Sequence, residues 1–398
     1  MKWICCQIGA REHYAVARAL DRQNALHALV TDAWVRPGNL LGKLKPSIRS
    51  RFHRDLANAD IYASNFASLS FELRAKLAGL RGWPKVVARN AWFQRFVVEK
   101  LSGINFTAGT PTVMAYSYAA LEVFKFARAR GWRTVLGQID PGPPEERIVA
   151  ALYEKSPAHT GEFVRPRPEY WANWREECEL ADRIVVNSAW SLAALVSEGL
   201  PAAKIKIVPL AYEEARAASV FRREYPLEFS ASRPLRVLFL GQINLRKGIE
   251  PLVDAIRRLR REPIEFLLVG PIQVSIPSDL RDDPRVHLFG PLPHEAAGQF
   301  YQQADLFLFP TFSDGFGLTQ LEAQAWQLPI VATRFCGDVV EENRNGWILP
   351  EVSGDAIAAI IRKCLACPAC LKKLSGNSTA AKRFDLSNVG EQWLNVFQ

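Results

Sequence analysis

The chain has 398 residues, of which 48% are hydrophobic and 23% are charged, and its formal net charge is +9. This composition excludes a disordered chain, and no apolar run reaches the roughly 18 residues that a membrane-spanning helix needs. The length exceeds one ordinary core, so we expect two α/β domains of about 150 to 200 residues each. Seven scattered cysteines do not resemble a disulfide framework, which favours a reducing compartment.

The N-terminal residues MKWICCQIGA lack the long apolar stretch of a signal peptide and predict a first β-strand instead. A cytoplasmic protein is therefore expected. Gly9 follows this strand and precedes a helical pattern. Gly9 can be an ordinary loop residue. Alternatively, because glycine has no side chain, its backbone would let a sugar or phosphate approach closely.

Positive charge is concentrated near the N-terminus. Residues 1–110 hold 17 Lys or Arg against 7 Asp or Glu, whereas the two signs nearly cancel in the remainder. Cations interleave with apolar residues in two segments, Lys43 to Arg54 and Arg89 to Lys100. Such a face suits an anionic membrane surface, at the inner side of the membrane, or is simply a solvated helix face. Nucleic acid is not an expected partner, because no nucleic-acid motif accompanies the charge.

Apolar strand-like runs alternate with helical patterns in both halves of the chain, which predicts two parallel sheets. The first half contains KWICCQI, HALVTD, TVMAYS, RTVLGQI, DRIVVNS and KIKIVPL. The second contains LRVLFLG, IEFLLVG, VHLFG, DLFLFP and PIVAT. We predict an α/β protein with two Rossmann-like domains that face each other across a cleft.

The polar stretch between the two series has no strand period and predicts an interdomain linker. The expected division is residues 1–212 for the N-terminal domain and 213–234 for the linker. Residues 235–385 then form the C-terminal domain. Residues 386–398 form a final helix, which has Val389, Trp393 and Val396 on one face. This face could pack on either domain, and the chain crosses back to the N-terminal domain if it packs there.

The strand LRVLFLG leads into GQINLRKGIEPLVDAI, in which Arg246 and Lys247 precede Gly248 at the start of an amphipathic helix. Two cations at a strand-to-helix turn are suited to a diphosphate. The spacing is not that of a Walker loop, because the lysine precedes the second glycine and no Ser or Thr follows it. The pattern therefore indicates a diphosphate site of another type.

The segment TFSDGFGLTQLEAQAW, residues 311–326, places Asp314 and Glu322 eight positions apart. Its surroundings predict the order strand, glycine loop, helix, strand. Asp314 then lies beyond the carboxyl end of a strand, where open α/β sheets bind ligands. Glu322 lies about one turn into the helix, where a carboxylate can accept hydrogen bonds from hydroxyl pairs. Alternatively, Asp314 only caps the helix and Glu322 is a solvated or capping residue.

The glycine loop itself is a candidate for phosphate binding. It runs through Gly315, Phe316 and Gly317, and the helix is expected to begin near Leu318. The backbone amides of Phe316 to Leu318 would then be unpaired and directed at a ligand. The sequence does not complete a dinucleotide-binding GxGxxG pattern, so a nicotinamide cofactor is not expected.

The segment CLACPAC near the C-terminus resembles a metal-binding sequence, with Cys364, Cys367 and Cys370 separated by two residues each. A structural zinc site needs four ligands, and neither a nearby histidine nor a second CxxC is present. The preceding residues predict an amphipathic helix that ends at Pro368. We therefore expect no metal site, and we expect the cysteines to serve as small apolar residues.

Three stretches together resemble family 4 glycosyltransferases: LADRIVVNSAWSLAALVSEGLPAAKIKIVPL, GQINLRKGIEPLVDAI and HLFGPLPHEAAGQFYQQADLFLFPTFSDGFGLTQLEAQAWQLPIVAT. The resemblance is strongest from Leu235 to Val331. It implies the GT-B fold, a nucleotide-activated sugar donor, retention of anomeric configuration and no need for a divalent metal or other cofactor. It also implies an acceptor-binding N-terminal domain, with a carbohydrate or lipid-linked acceptor, and a role in cell-surface polysaccharide or glycoconjugate synthesis.

The resemblance also assigns roles to the candidate residues. Asp314 takes the place of a usual Glu and would hold hydroxyls of the donor sugar. Glu322 would hold the ribose, and Lys247 would bind the diphosphate. Gln242 stands where many members carry an arginine, for which Arg246 is a candidate substitute.

A second departure from the family concerns the acceptor side. Members of the family often carry a histidine after a mid-domain strand. In this chain Gln138, Asp140 or neither takes its place, and Asp140 is the candidate catalytic residue. Two other functions stay open: a GT-B sugar-nucleotide epimerase and a non-catalytic nucleotide-sugar binder. Both would bind the diphosphate in the same way.

Overall fold

A computed structural model describes residues 2–39, 51–104, 106, 109–156, 163–378 and 382–398 of the chain. Within these residues the chain forms two parallel sheets, one from each half of the sequence. Residues 43–50 of the basic Lys43 to Arg54 segment lie outside the described residues. No helix in the described ranges is both long and apolar enough to cross a membrane.

The N-terminal sheet has seven strands in the order β3-β2-β1-β4-β5-β6-β7. All neighbouring strands run parallel. The strands are β1 Trp3–Gln7, β2 Leu26–Thr31, β3 Ile61–Ala63, β4 Thr112–Tyr116, β5 Arg133–Gly137, β6 Arg183–Val186 and β7 Ile205–Ile207. Every residue of β1 is buried, as expected for a parallel sheet with helices on both faces.

In the described part of this domain, seven α-helices accompany the sheet. They are α1 Ala15–Arg22, α2 Asn65–Leu77, α3 Gly82–Ser102, α4 Leu121–Ala129, α5 Pro143–Lys155, α6 Pro168–Leu180 and α7 Ala189–Ser197. Single 3-10 turns lie at Arg11–Tyr14, Arg54–Leu56 and Ala202–Lys204. Local sequence fixes two of the helix starts. Pro143 begins α5, where a missing amide hydrogen costs nothing, and Ser188 caps α7 by accepting from the Ser191 amide at 3.1 Å.

The C-terminal sheet has six parallel strands in the order β10-β9-β8-β11-β12-β13. The strands are β8 Leu235–Leu240, β9 Ile264–Val269, β10 Val286–Gly290, β11 Leu306–Phe309, β12 Ile330–Ala332 and β13 Gly346–Ile348. The remaining described helices are α8 Arg216–Ser219, α9 Ile249–Arg258, α10 Ser278–Arg281, α11 Ala297–Gln303, α12 Thr319–Ala325, α13 Gly354–Ala366, α14 Pro368–Asn377 and α15 Leu386–Leu394. Single 3-10 turns lie at His294–Ala296 and Lys382–Phe384.

Strand order reverses beside the first strand of each sheet, between β1 and β4 and between β8 and β11. This is the Rossmann order, and the predicted α/β fold with two Rossmann-like domains is confirmed. The reversal opens a crevice at the carboxyl ends of the strands, which positions the loops after β5, β8 and β11 for ligand binding.

The chain crosses between the domains twice, at neighbouring points. The Tyr212 amide donates to the Phe384 carbonyl at 2.8 Å. After this second crossing, α15 packs on α1 of the N-terminal domain, where Trp393 meets Trp3 edge to face with ring centroids 6.2 Å apart. Val389 is buried in the same cluster, so the apolar face of the last helix completes the first domain's core.

The expectation for the cysteine segment is wrong in part. Cys364 is a buried free thiol in the C-terminal core, but Cys367 and Cys370 form a disulfide at the start of α14. A CxxC pair at a helix start brings the two side chains within bonding reach, since their Cα atoms are 5.3 Å apart. The described residues contain no cluster of His, Cys, Asp and Glu that could hold a metal ion.

Candidate active site

The loop after β11 and the loop after β8 are tied to each other by hydrogen bonds. The Phe312 amide donates to the Arg246 carbonyl at 2.8 Å, and the Thr311 hydroxyl lies 3.1 Å from the same oxygen. Gly248 lets the two loops approach, because its φ is +79° and a Cβ there would lie 2.0 Å from the Pro310 carbonyl oxygen. The two predicted phosphate and sugar loops therefore form one rigid unit.

At the centre of this unit, the Lys247 ammonium pairs directly with the Asp314 carboxylate. The Arg246 guanidinium lies 3.8 Å from the same carboxylate oxygen. Burial opposes ionisation of Asp314, but Lys247 and Arg246 outweigh it and hold the pKa of that carboxyl below its usual value. Asp314 is therefore ionised, in a site with two cations at the ends of β8 and β11.

Asp314 also accepts a hydrogen bond from the Phe316 amide at 3.2 Å. The expectation that the Phe316 amide is free for a ligand is therefore wrong, because the neighbouring carboxylate already binds it. The amides of Gly317 and Leu318 donate to no protein atom in the part of the chain that the structure describes. Helix α12 begins at Thr319, one residue after the predicted start.

The first domain contributes a carboxylate to this site. Glu145, in the first turn of α5, accepts from the Ser313 hydroxyl at 2.7 Å and lies 3.5 Å from the Arg246 guanidinium. Burial raises the pKa of Glu145 to about 7, and the charge of Arg246, which lowers this pKa, only partly offsets the desolvation. Glu145 thus links the two domains across the crevice.

Asp140, the candidate catalytic residue, lies between β5 and α5. Its Oδ1 accepts from the Tyr118 hydroxyl at 2.5 Å and from the Gly142 amide at 2.8 Å, and Gln138 Nε2 also approaches it. In the described residues, Oδ2 has no protein partner. Burial raises the pKa of Asp140, although the Tyr118 hydroxyl and two cations, Arg11 and Arg246, act in the opposite direction.

Gln138 occupies a different environment from Asp140. It is buried, its side-chain oxygen accepts from Trp174 Nε1 at 2.9 Å, and its amide nitrogen donates to the Asp140 carbonyl at 3.0 Å. Both ends of the side chain therefore hold protein groups. Of the two residues that the sequence offered for the family histidine, only Asp140 has an atom free to face a ligand.

The glycine loop of the second domain presses against the first. A Cβ on Gly315 would lie 2.6 Å from the Ile139 carbonyl oxygen, so only glycine permits this approach. The Gly315 carbonyl accepts from the Ser191 hydroxyl at 3.4 Å, and Trp190 Nε1 donates to Ser313 Oγ at 3.1 Å. The start of α7 and the loop before α5 thus position the Asp314 loop from the other domain.

Glu322 has a separate set of contacts. It lies on α12 and accepts from the Tyr301 hydroxyl at 2.7 Å. Tyr301 is only 1% exposed, and burial, followed by the charge of Glu322, raises the pKa of its hydroxyl well above the usual value. Glu322 is therefore a fixed acceptor rather than the solvated residue of the alternative interpretation.

The two remaining candidates lie at the edges of the crevice. Gly9 follows β1 with a φ of +79°, and its amide donates to Asp32 Oδ1 at 2.8 Å. The Arg51 guanidinium covers its open side, 2.6 Å from where a Cβ would be. Gln242 is exposed and accepts from Asn244 Nδ2 at 3.3 Å. Arg246, not Gln242, faces the carboxylates of both domains.

A cavity of about 220 Å³ opens between the domains beside this cluster. Asp140, Glu145 and Arg246 contribute to its lining. Six further lining residues form an aromatic wall. Its members are Trp83, Tyr118, Tyr153, Phe163, Tyr170 and Trp171. Flat apolar faces beside carboxylates are the surfaces that a sugar ring with hydroxyl groups can contact.

Four residues belong to the site but were not selected from the sequence: Glu145, Ser313, Trp190 and Tyr118. A signal for Glu145 was present, because Pro143 favours a helix start after β5 and places Glu145 in the first turn at the ligand-binding edge of the sheet. Tyr118 follows β4 and has a φ of +73°, a conformation that a bulky residue adopts only when its surroundings impose it. Such a conformation is visible in the structure but not in the sequence.

Comparison with known proteins finds glycosyltransferases. Residues 234–367 match the family described as "Glycosyl transferases group 1". A relative named amylovoran biosynthesis glycosyltransferase AmsK, from Erwinia amylovora, is 26% identical over 182 residues, 42% of this chain and 43% of the relative. The D-inositol 3-phosphate glycosyltransferase of Pseudarthrobacter chlorophenolicus is 31% identical over 170 residues, 39% of this chain and 40% of the relative. The matches thus span less than half the length of these curated relatives.

Among solved structures, the crystal structure of Anabaena HepE in complex with UDP and glucose has a TM-score of 0.62 and 16% identity. It covers 100% of this chain and 99% of that chain. This similarity shows the shared fold over the whole chain. The resemblance to family 4 glycosyltransferases and the GT-B fold, both expected from the sequence, are confirmed.

Proposed function

We propose that the protein is a glycosyltransferase that moves a sugar from a nucleotide diphosphate sugar to a carbohydrate or lipid-linked acceptor, with retention of anomeric configuration. The observation that carries this proposal is the Lys247–Asp314–Arg246 cluster, which faces the carboxylates of Asp140 and Glu145 across the crevice. Relatives named for amylovoran and capsular polysaccharide biosynthesis support a role in cell-surface polysaccharide synthesis.

The charges of the cluster suit the cleavage of a glycosyl phosphate bond. The leaving diphosphate gains negative charge, which Lys247 and Arg246 stabilise at the ends of β8 and β11. Asp314 contacts both of these cations. When a diphosphate binds, Lys247 contacts both the diphosphate and Asp314, and the Asp314 carboxylate then lies beside the sugar. There it accepts from sugar hydroxyls and offsets positive charge on the ring.

The nucleoside end of the donor is assigned to Glu322. Its carboxylate is held by Tyr301 and retains lone pairs for the two ribose hydroxyls. The HepE structure with UDP-glucose, which shares the fold, supports a uridine nucleotide as the first donor to test.

The acceptor is assigned to the cavity in front of Asp140. The acceptor hydroxyl forms a new bond to the anomeric carbon on the same face from which the diphosphate oxygen leaves, as the bond from that carbon to this oxygen breaks, so the configuration is retained. Asp140 Oδ2 accepts the hydroxyl proton. Burial raises the pKa of Asp140, which favours its action as a general base. No side chain acts as a covalent nucleophile, and no divalent cation takes part.

The test is incubation of the full chain with UDP-, GDP- and ADP-sugars, with and without a panel of glycoside acceptors. Acceptor-dependent release of nucleoside diphosphate, unchanged by EDTA, is the expected result. Conversion of the donor sugar without an acceptor would indicate an epimerase. Calorimetric binding without turnover would indicate a nucleotide-sugar binder. Loss of release on adding EDTA would overturn the metal-independent reaction.

A further inference from the structure

Helix α2, Asn65–Leu77, presents an apolar stripe to solvent. Phe66 is 79% exposed, Leu73 is 59% exposed and Leu77 is 78% exposed. Their spacings of seven and four residues put all three on one face of the helix. Single exposed apolar residues are ordinary, but three large ones in line on one helix mark an interaction surface.

The packing of α2 does not explain this stripe, because the helix is held by its other side. Phe71 stacks on Trp92 of α3 with centroids 5.5 Å apart, and Ala75 is buried. These residues lie opposite the stripe in the helical repeat. Helix α2 is therefore apolar on two sides, and only the inner one contributes to the core.

The second basic segment that the sequence suggested for such a surface does not provide it. In the segment Arg89 to Lys100, Phe93 and Phe96 are buried in the core of the N-terminal domain. The amphipathic pattern of that segment therefore reflects packing of α3. The surface residues available to a partner are those of α2.

Positive charge surrounds the stripe. Arg74 follows Leu73 and Lys76 precedes Leu77, so the two cations lie on opposite flanks of the apolar face, and both are exposed. Across residues 64–100 there are seven Lys or Arg and two Asp or Glu. Lys85 is paired with one of these acids, Glu72, at 2.8 Å. The two cations that flank the stripe, and the surplus of positive charge in this part of the sequence, favour an anionic partner.

We propose that this face of α2 docks on an anionic lipid surface. Phe66, Leu73 and Leu77 enter the boundary between headgroups and acyl chains, while Arg74 and Lys76 contact lipid phosphates. A second copy of the chain is a poorer occupant, because a symmetric contact through this face would bring like cations together. The docking uses no feature of the donor site, and only its consequence for a lipid-linked acceptor rests on the proposed transfer reaction.

The position of α2 gives this docking a consequence for the cavity. The turn after Leu77 leads within six residues to Trp83, which lines the cavity wall. Trp83 Nε1 donates to the Val164 carbonyl at 2.8 Å, and the Val164 side chain is 66% exposed. A membrane against α2 therefore lies beside the aromatic wall, where a lipid-linked acceptor can enter without leaving the bilayer.

The experiment is co-sedimentation of the full chain with vesicles of phosphatidylcholine alone or mixed with phosphatidylglycerol. We expect binding to the mixed vesicles, weakened by salt. Phe66→Ser, Leu73→Ser and Leu77→Ser together should weaken it at least tenfold, since they remove the inserting area. Arg74→Gln with Lys76→Gln should weaken it by about fivefold for each cation.

Matched controls keep the result specific to α2. Val220→Ser with Leu227→Ser removes two apolar side chains that are 73% and 102% exposed elsewhere, and Lys372→Gln with Lys373→Gln removes two exposed cations from α14. Both should bind mixed vesicles like the parent. All variants should keep the parental melting temperature and UDP affinity, which separates failure of docking from failure of the donor site.

Three results would overturn the proposal. One is equal binding of the parent to both vesicle types, or binding to neither. Another is parental binding by the triple serine variant. The third is a dimer in sedimentation velocity that the triple serine variant converts to monomer, because the stripe would then be an interface between copies of the chain.

Discussion

The Lys247 ammonium is bound to the Asp314 carboxylate, although the two residues come from loops 67 positions apart in the sequence. A residue suited to a diphosphate and a residue suited to sugar hydroxyls thus form one ion pair. The pair keeps both buried charges compensated, and a bound diphosphate has to compete with Asp314 for the lysine. Binding and catalysis at this site are therefore coupled through one contact.

Lys247→Ala should weaken binding of a nucleoside diphosphate by about 1.5 to 3 kcal/mol, the usual contribution of a hydrogen bond to a charged group. Isothermal titration calorimetry with UDP measures the effect. Lys363→Ala is a matched control, because Lys363 lies 5.0 Å from the Trp347 ring centroid much as Lys247 lies 4.7 Å from that of Phe309. Unchanged UDP affinity in Lys247→Ala would remove this residue from the donor site.

Asp314→Asn should retain the hydrogen bond from the Phe316 amide, because Asn caps about as well as Asp. It leaves Lys247 without its counter-charge in a site where the lysine side chain is only 12% exposed. We therefore expect a lower melting temperature without ligand. Transfer should fall more than UDP affinity, because the carboxylate acts on the charged transition state. A parental turnover number in this variant would show that the sugar is held elsewhere.

Glu322→Ala should cost about 1 to 3 kcal/mol of folding free energy, because it leaves the buried Tyr301 hydroxyl without an acceptor. It should also weaken UDP binding. Tyr301→Phe separates these effects, since it removes the same hydrogen bond and leaves the carboxylate for ribose. If both variants lose UDP affinity equally, Glu322 serves the fold and not the ligand. Urea unfolding and calorimetry provide the two measurements.

Glu145 should make stability depend on pH. Its pKa is raised from 4.5 to about 7 in the folded chain, mainly by burial, so folding favours the protonated form. The stabilising contribution is fully present below the unfolded value and is lost as the pH rises toward 7. Glu145→Gln stays uncharged and should be more stable than the parent at pH 8, on the order of 2 kcal/mol, but not at pH 4.

Urea unfolding at the two pH values measures this difference. Glu154→Gln, at an exposed position on the same helix, is the control. Its free energy of unfolding should differ from that of the parent by the same small amount at both pH values. A Glu145→Gln variant with the same pH dependence as the parent would show that Glu145 stays ionised against Arg246.

The sequence predicted eleven of the thirteen strands in the described residues, because long apolar runs alternate with helical patterns. The two it missed, β3 Ile61–Ala63 and β13 Gly346–Ile348, are three-residue strands at sheet edges. A strand that short shows no period. The apolar segments around β7 and β12, which are equally short, were selected, but the assignment of β3 and β13 depends on the neighbour with which each pairs.

The site residues that combine charge with a position at a strand end were predictable from the sequence. Arg246, Lys247 and Asp314 were selected because cations, glycines and an acid lie at strand ends. Glu145 and Ser313 were not, because their roles arise from the contact of one domain with the other. The Cys367–Cys370 disulfide was missed because the CxxC spacing also suits two free thiols.

The contact between Gly315 and Ile139 tests whether the approach of the domains matters for transfer. Gly315 has an ordinary backbone conformation, so alanine causes no strain in the loop itself. Its Cβ, however, would lie 2.6 Å from the Ile139 carbonyl oxygen, and one of the two loops has to move. Gly315→Ala should therefore separate Asp314 from Asp140 while the two loops that carry Lys247 and Asp314 stay joined. A displacement of about 1 Å at reacting groups costs on the order of 100-fold in rate.

We expect Gly315→Ala to lose about 10- to 100-fold in the turnover number, with UDP affinity within a few fold of the parent. Gly376→Ala is the control, because no atom lies within 4 Å of its Cβ position and its φ is not positive. Small-angle X-ray scattering of both variants with UDP reports on domain separation. If Gly315→Ala transfers sugar at the parental rate while the domains separate, catalysis does not need this contact. The carboxylates of the first domain would then have to act without the close approach seen between Gly315 and Ile139.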